Sequence, residues 1–215
     1  PFGFLNVYCG EHDLAALTRG LGEEFATLRI MLKRFPMHIT SHTSVQAIED
    51  LRGEHGYDPA DVASIHVDGN QKMATVNNIP EPADLMMSQY SLPFCVALAH
   101  YANARDPRSF NARTFGNADI KSLCSRVTIS VSDEAKKGGT LASAVTVILK
   151  DGRTLEKKIT SPKGDPDNVL SRPELEDKAV RLAGYARGAT EAEIRRVIAR
   201  AWGLHDAADV RGYLD

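Results

Sequence analysis

The chain has 215 residues, of which 43% are hydrophobic and 25% are charged, a composition typical of a folded globular protein rather than a disordered segment. Its formal net charge of −2 argues against a general nucleic-acid-binding protein, and no apolar stretch approaches the ~20 residues that a membrane-spanning helix requires. The three cysteines, Cys9, Cys95 and Cys124, are widely separated, which fits a reducing, cytoplasmic location and provides no Cys-x-x-Cys pair for zinc or an iron–sulfur cluster.

The first informative stretch is a predicted strand followed by a turn and a helix. Residues 28–32 alternate apolar and polar side chains, which predicts a short, half-buried strand ending at Lys33. Pro36 then interrupts the backbone, because it has no N–H group and also restricts the residue before it. Thr40 or Ser41 is a suitable N-cap, and the apolar residues that follow have helical spacing.

This turn brings a lysine and two histidines to the N-terminus of a predicted helix. The free N–H groups and the dipole of a helix N-terminus favour an anion, and Lys33, His38 and His42 add charge and hydrogen-bond donors. From spacing alone, the structural alternative is a solvated lysine with two surface histidines. The pattern therefore indicates a candidate anion site.

The middle of the chain combines a second strand, a long loop and an apolar helix. Residues 65–67 predict a short strand, and residues 68–83 form a loop of a length that is often functional in a compact domain. Ser91 is predicted to cap the next helix, with Pro93 in its first turn. Tyr90, just before this helix, is a candidate for a cleft, and a packing tyrosine is the alternative.

The next part of the chain changes to the two-residue period of strands. Asp151-Gly152 is the strongest hairpin signal, and the strand before it is apolar on both faces, which predicts a central position. The strands on either side of Asp151-Gly152 and the one before them are expected to be three consecutive antiparallel strands. The predicted fold is α+β, a largely antiparallel sheet with helices packed on one face. The strands expected in this sheet are residues 28–32, 65–67, 127–132, 141–150 and 153–160.

The last part of the chain is a turn-rich loop followed by helices. Lys163 lies in the loop, where it is a candidate to approach a bound ligand, and a well-capped connector is the alternative. Helices are predicted from Glu174 to Tyr185, from Thr190 to Trp202 and from Asp206 to Leu214. Their apolar residues exceed what a small sheet requires, so an exposed apolar surface is expected. Its predicted members are Tyr185, Ile198, Trp202 and Leu214.

Three stretches resemble the C-terminal domain of the MmgE/PrpD family. The first is similar to the family pattern Lys-x-Tyr/Phe-Pro-x-Cys-x-x-x-His, supplied here by Lys33, Phe35, Pro36 and His42, with His38 where the family commonly has cysteine. The second is the helix start after Tyr90. The third resembles Lys-Gly-Asp/His-Pro-x-Asn-Pro-(Leu/Met)-Ser/Thr followed by a helix with a lysine. It is represented here by residues 163–171, with Val169 in place of the second proline, and by Lys178.

The resemblance, which extends along the whole chain, implies a domain of a metal-independent enzyme that uses no cofactor and acts on small polycarboxylates. The family includes 2-methylcitrate dehydratase, of propionate catabolism, cis-aconitate decarboxylase and iminodisuccinate epimerase. The chemistry implied is removal of a proton next to a carboxylate, followed by loss of water, loss of carbon dioxide or reprotonation. Such a site needs cations for the carboxylates and the developing enolate charge, and a positioned base. By this resemblance, the base is expected to come from a set of Asp and His residues on a large N-terminal helical domain.

The resemblance also implies an organisation and a set of site residues. Residues 1–26 are expected to be a linker and entry helix, 27–170 an α+β lid domain, and 171–215 a helical segment that docks on the N-terminal helical domain. We also expect a homodimer. The alternative is a free-standing α+β ligand-binding or dimerisation module without catalytic activity. Lys33 and His42 are the predicted catalytic residues; the predicted substrate-binding residues are His38, Tyr90 and Lys163.

Overall fold

The computed structural model describes residues 3–133, 141–185 and 187–212. The chain forms two compact units, Pro1–Met31 and Leu32–Asp215. No helix within the described residues is long and apolar enough to cross a lipid bilayer.

The first unit contains a short helix, α1 (Phe4–Tyr8), and two 3₁₀ turns, Leu14–Leu17 and Ala26–Arg29. The predicted strand at 28–32 is wrong, because its first residues belong to the second 3₁₀ turn and no described strand pairs with it. Leu28 is 81% exposed, so the alternation of this segment does not reflect one buried face.

The second unit contains the other helices and all the described strands. Its α-helices are α2 (His42–His55), α3 (Gln71–Thr75), α4 (Leu85–Tyr90), α5 (Leu92–Tyr101), α6 (Ala112–Phe115), α7 (Ala118–Cys124), α8 (Arg172–Tyr185) and α9 (Glu191–Gly203). Short 3₁₀ turns occur at Ile39–Ser41, Pro59–Asp61, Pro107–Ser109 and Leu204–Asp206.

The strands β1 (Val62–Asp68), β2 (Val127–Ser130), β3 (Ser143–Leu149) and β4 (Thr154–Ile159) form one sheet in the order β2-β1-β3-β4. β3 pairs antiparallel with both β1 and β4, so its predicted interior position is confirmed. The expectation of three consecutive antiparallel strands is wrong, because β2 pairs with β1, and the two are parallel. The long connection from β1 to β2 contains α3 to α7, as a parallel crossover requires.

One face of the sheet carries the core. Val67, Val145 and Val147 are fully buried on this face, and α2 packs against β3, β4 and α5. On the opposite face, His66 is part-exposed, and its ring nitrogens lie 2.9 Å from the hydroxyl oxygens of Thr128 and Ser130. The predicted α+β class, with helices on one face of the sheet, is confirmed.

Local signals account for the ends of the main helices. Ser91 caps α5 by accepting a hydrogen bond from the backbone N–H of Phe94 at 3.0 Å, as predicted. Gly56 ends α2 with a φ of 60°, a conformation that glycine adopts without a Cβ penalty. Thr190 and Glu193 form the reciprocal capping box that begins α9.

The C-terminal helices differ from the prediction at their end. The helix expected from Asp206 to Leu214 is wrong, because residues 207–212 are not helical. Here the Asp209 carboxylate accepts a hydrogen bond from the backbone N–H of Arg211 at 2.9 Å, a local bond that competes with helical pairing.

The predicted exposure of the apolar face agrees with the structure where its residues are described. Tyr185 and Trp202 are exposed, and Ile198 is half-buried. Leu214 lies outside the described residues.

Candidate functional site

The turn before α2 is anchored by alternate buried side chains. Phe35 and Met37 are 1% and 3% exposed, and Pro36 lies between them. Lys33 is exposed, and its Nζ donates a hydrogen bond to the carbonyl of Met37 at 3.1 Å. Because the turn is tied into the core at two points, it holds Lys33 and His38 in defined positions.

The turn forms one wall of a cleft of about 320 Å³, which we call the His38 cleft. Its lining residues are Lys33, Pro36, Met37, His38, Gln89 and Tyr90. The His38 and Tyr90 rings lie with their centroids 5.2 Å apart. The structure therefore brings together three of the predicted site residues, Lys33, His38 and Tyr90.

Hydrogen bonds join the turn to the segment that carries Tyr90. The backbone N–H of His38 donates to the carbonyl of Gln89 at 2.9 Å, and the Gln89 side-chain amide donates to the carbonyl of Pro36 at 2.9 Å. These two bonds fix the distance between the walls of the His38 cleft.

Asn77 is a residue of this site that the sequence reasoning missed. It is fully buried; its side-chain oxygen accepts a hydrogen bond from Thr40 Oγ1 at 2.9 Å, and its side-chain amide donates to the carbonyl of Tyr90 at 3.0 Å. The available signal was its position in residues 68–83, which were expected to form one long loop; that expectation is wrong, because the segment contains α3 (Gln71–Thr75). Asn77 thus connects the turn before α2 with Tyr90, the last residue of α4.

His42 occupies a different environment from the other predicted residues. It is 1% exposed, does not line the His38 cleft, and lies edge-on to Phe35 with ring centroids 5.2 Å apart. Its ring nitrogens have no hydrogen-bond partner of good geometry among the described residues. Burial, reinforced by the charge of Lys33, lowers the pKa of His42 to about 4. His42 is therefore neutral at physiological pH.

A second, smaller cleft of about 170 Å³ lies on another side of Lys33, and we call it the Lys178 cleft. It joins five cations to apolar side chains: Lys33, Arg34, Arg105, Lys178 and Arg181, with Phe35, Pro36, Pro107 and Leu182. Lys33 lines both clefts. The arrangement favours an anionic ligand.

The arginines of the Lys178 cleft are matched by carboxylates. Arg105 contacts Glu49 through two nitrogens, with the shortest distance 2.8 Å, and Arg34 lies 3.6 Å from Glu174. Arg181 pairs with Asp177 at 2.6 Å, one helical turn before it in α8.

The lysines are not matched in this way. Within the described part of the chain, neither Lys33 nor Lys178 forms an ion pair with a carboxylate. Lys178 instead donates a hydrogen bond from Nζ to the carbonyl of Lys33. Burial lowers the pKa of Lys178, and the nearby charges of Arg181 and Lys33 lower it further. Of the five cations that line the Lys178 cleft, Lys33 and Lys178 are therefore the two without a carboxylate partner among the described residues.

Lys163 is not brought into either cleft. Its Nζ lies 3.8 Å from Glu174, and its backbone N–H donates to the side-chain oxygen of Gln46 at 3.0 Å. Its neighbour Gly164 packs against the backbone of Leu32, directly before Lys33. The loop that carries Lys163 therefore supports the backbone at Leu32, directly before Lys33.

Comparison with protein families supplies an independent observation. The family model described as the MmgE/PrpD C-terminal domain matches residues 35–204. The chain belongs to this family. Comparison with curated protein sequences gave no match.

The MmgE/PrpD match covers the two clefts described above, apart from Lys33 and Arg34. His38, His42, Tyr90, Lys163 and Lys178 all lie within the matched residues, and Lys33 lies two residues before them. The match is shorter than the whole-chain resemblance expected from the motifs. Members of the family are lyases of the dehydratase type. Within residues 3–133, 141–185 and 187–212, no three histidine, cysteine, aspartate or glutamate side chains come together as metal ligands.

Proposed function

We propose that this MmgE/PrpD domain binds the carboxylates of a small polycarboxylate, as part of a lyase related to 2-methylcitrate dehydratase. The observation that carries this proposal is the pair of lysines without acidic partners, Lys33 and Lys178, beside two adjoining clefts. Each charge-assisted hydrogen bond to a carboxylate contributes about 1.5–3 kcal/mol before screening.

The proposed roles differ from one residue to the next. Lys33 contacts a substrate carboxylate and stabilises the negative charge that develops when the neighbouring carbon loses its proton. His38 and Tyr90 line the same cleft and complete its polar surface. His42, buried and neutral, supports the turn through its contact with Phe35. Lys163 acts through the loop that holds Leu32 and remains at the edge of the proposed site.

A second protein surface enters the same proposal. Helices α8 and α9 carry apolar side chains that remain exposed to solvent. No other described part of the second unit buries them. They include Leu182, Tyr185, Val197 and Trp202. Such a surface is typical of a protein interface. We assign it to a helical domain of the same protein, which would contribute the base that removes the proton.

The test is the activity of the full-length protein on 2-methylcitrate, citrate and cis-aconitate. With the best substrate, Lys33→Ala should lower kcat/KM by about tenfold or more, because loss of ~1.4 kcal/mol of transition-state stabilisation costs a factor of ten. Lys178→Ala should lower it in the same direction. Lys150→Ala is the matched control, since Lys150 is exposed and lines neither cleft. Full activity of Lys33→Ala on every accepted substrate would exclude the proposed role.

A further inference from the structure

His38 is the one imidazole among the described residues that lines the His38 cleft, and its two ring nitrogens have different surroundings. Nδ1 lies 2.8 Å from the hydroxyl oxygen of Thr40. Nε2 has no hydrogen-bond partner within the described residues. Which nitrogen carries the proton therefore decides whether the cleft contains a donor or an acceptor at this position.

The hydrogen bonds around Asn77 determine the position of that proton. The Asn77 amide nitrogen donates to the carbonyl of Tyr90 at 3.0 Å, which identifies the other side-chain atom as the oxygen, an acceptor. Thr40 Oγ1, 2.9 Å from this oxygen, must therefore use its single hydrogen to donate to Asn77. Since that hydrogen is committed, Thr40 Oγ1 accepts from His38, and Nδ1 carries the proton.

A competing arrangement exists and is weaker. The backbone N–H of Thr40 points to His38 Nδ1 at 3.4 Å, a contact that requires an unprotonated Nδ1. This distance is at the long end for an N–H donor, whereas 2.8 Å to the hydroxyl is ordinary. The chain of donors from His38 through Thr40 to Asn77 and Tyr90 consists of three bonds of 2.8, 2.9 and 3.0 Å and gives up the 3.4 Å contact of the Thr40 N–H, so it is favoured.

We infer that Thr40 and Asn77 are positioning residues that hold His38 with its proton on Nδ1, so that Nε2 is a hydrogen-bond acceptor for a hydroxyl group of the bound ligand. The part of this inference that concerns the ligand rests on the proposed function, whereas the position of the proton rests on the hydrogen bonds alone. Lys33, in the same cleft, is a cationic donor. The cleft then offers a cation for a carboxylate and, beside it, a neutral acceptor for a hydroxyl.

The charged groups near His38 agree with a neutral ring. Burial lowers the pKa of His38, and the positive charges of Lys72 and Lys33 lower it further. Tyr90 is the other titratable side chain in contact with the ring. No carboxylate within the described residues pairs with His38 to favour the imidazolium form.

The tautomer is measured on the full-length protein labelled with ¹⁵N-histidine, by long-range ¹H–¹⁵N correlation at a pH where His38 is neutral. His38→Gln assigns the signal. We expect the wild-type ring to be protonated at Nδ1, and Thr40→Val to move the proton to Nε2, because Nδ1 can then accept from the backbone N–H of residue 40. Thr40→Ser, which keeps the hydroxyl, should retain the wild-type tautomer.

Two results would overturn the assignment of the tautomer. One is a wild-type ring protonated at Nε2; the other is a Thr40→Val ring that stays protonated at Nδ1. The wild-type spectrum decides the first point even if Thr40→Val does not fold.

The acceptor role is tested with two ligands of equal charge that differ by one hydroxyl, citrate and tricarballylate. Citrate should shift the Nε2 signal of His38, and tricarballylate should leave it in place while still binding near Lys33. Equal responses to both ligands, or no response to either, would overturn the acceptor role. The kcat/KM of Lys33→Ala tests the proposed function separately, so the two failures are distinguishable.

Discussion

Substitution of Gly164 tests whether the loop after β4 supports the backbone next to Lys33. Gly164 has a φ of 102°, and a Cβ added there would lie 1.9 Å from the carbonyl oxygen of Leu32. The same pair of residues shares a hydrogen bond, from the N–H of Leu32 to the carbonyl of Gly164 at 2.8 Å. Gly164→Ala therefore introduces both backbone strain and a backbone clash.

The backbone strain and the clash each contribute to the loss of stability, and each contribution can be given a magnitude. A left-handed backbone costs an alanine about 1–2 kcal/mol relative to glycine. Relief of the clash requires the two segments to move apart, which weakens a hydrogen bond worth about 1 kcal/mol and disturbs packing worth about 1–3 kcal/mol. The expected loss in the free energy of unfolding is therefore about 3–6 kcal/mol.

Gly152→Ala is the matched control, because Gly152 also has a positive φ, 89°, and a Cβ there would meet nothing within 4 Å. It should cost only about 1–2 kcal/mol. Urea unfolding, monitored by circular dichroism, compares the two variants, provided that the free energy of unfolding depends on urea concentration with the same slope in both. Equal unfolding midpoints for Gly164→Ala and Gly152→Ala would show that the close approach to Leu32 has no energetic weight, and the reasoning would be refuted.

Two further predictions concern buried polar side chains. Burial lowers the pKa values of His42 and His100 to about 4, from 6.5 in an exposed state. Because the unfolded chain binds these protons more readily, stability should be fully present above about pH 6.5 and fall as the pH drops towards 4, by about 3 kcal/mol for each histidine. Urea-unfolding midpoints at pH 7 and pH 4.5 measure this loss of stability, and His42→Asn should make the difference between the two midpoints smaller. Equal midpoints for the wild-type protein at the two pH values would contradict the prediction. Asn77→Ala removes the hydrogen-bond partner of the buried Thr40 hydroxyl and that of the Tyr90 carbonyl, and it should cost about 2–5 kcal/mol by urea unfolding. Asn78→Ala, at an exposed position, should change stability by less than about 0.5 kcal/mol.

Much of the site could be predicted one residue at a time. The motif around Pro36 indicated Lys33 and His38, and the Ser91 cap indicated the helix that follows Tyr90. The sequence did not reveal that Asn77 joins these two segments, because its role depends on bonds to residues 37 and 13 positions away along the chain.

Charge pattern alone was a poor guide to which cations are available. Arg34 and Arg105 are as basic as the lysines in the sequence, yet both face carboxylates in the structure. Lys178 was noticed only as part of a family motif, and its position against the carbonyl of Lys33 gives it a place beside the candidate site. Pairing between distant charges is a property of packing, so composition and spacing do not predict it.

By itself the sequence determined the features whose causes lie within a few residues. The Asp151-Gly152 turn, the Ser91 cap and the capping box at Thr190 each depend on backbone conformation or on a side chain that reaches its own helix. The tertiary structure alone decided that β2 pairs in parallel with β1, that the chain at 28–32 is not a strand, and that His42 is buried. The physical reason is that strand pairing and burial are set by free energies of contact between segments far apart in the chain, to which local pattern contributes only a preference.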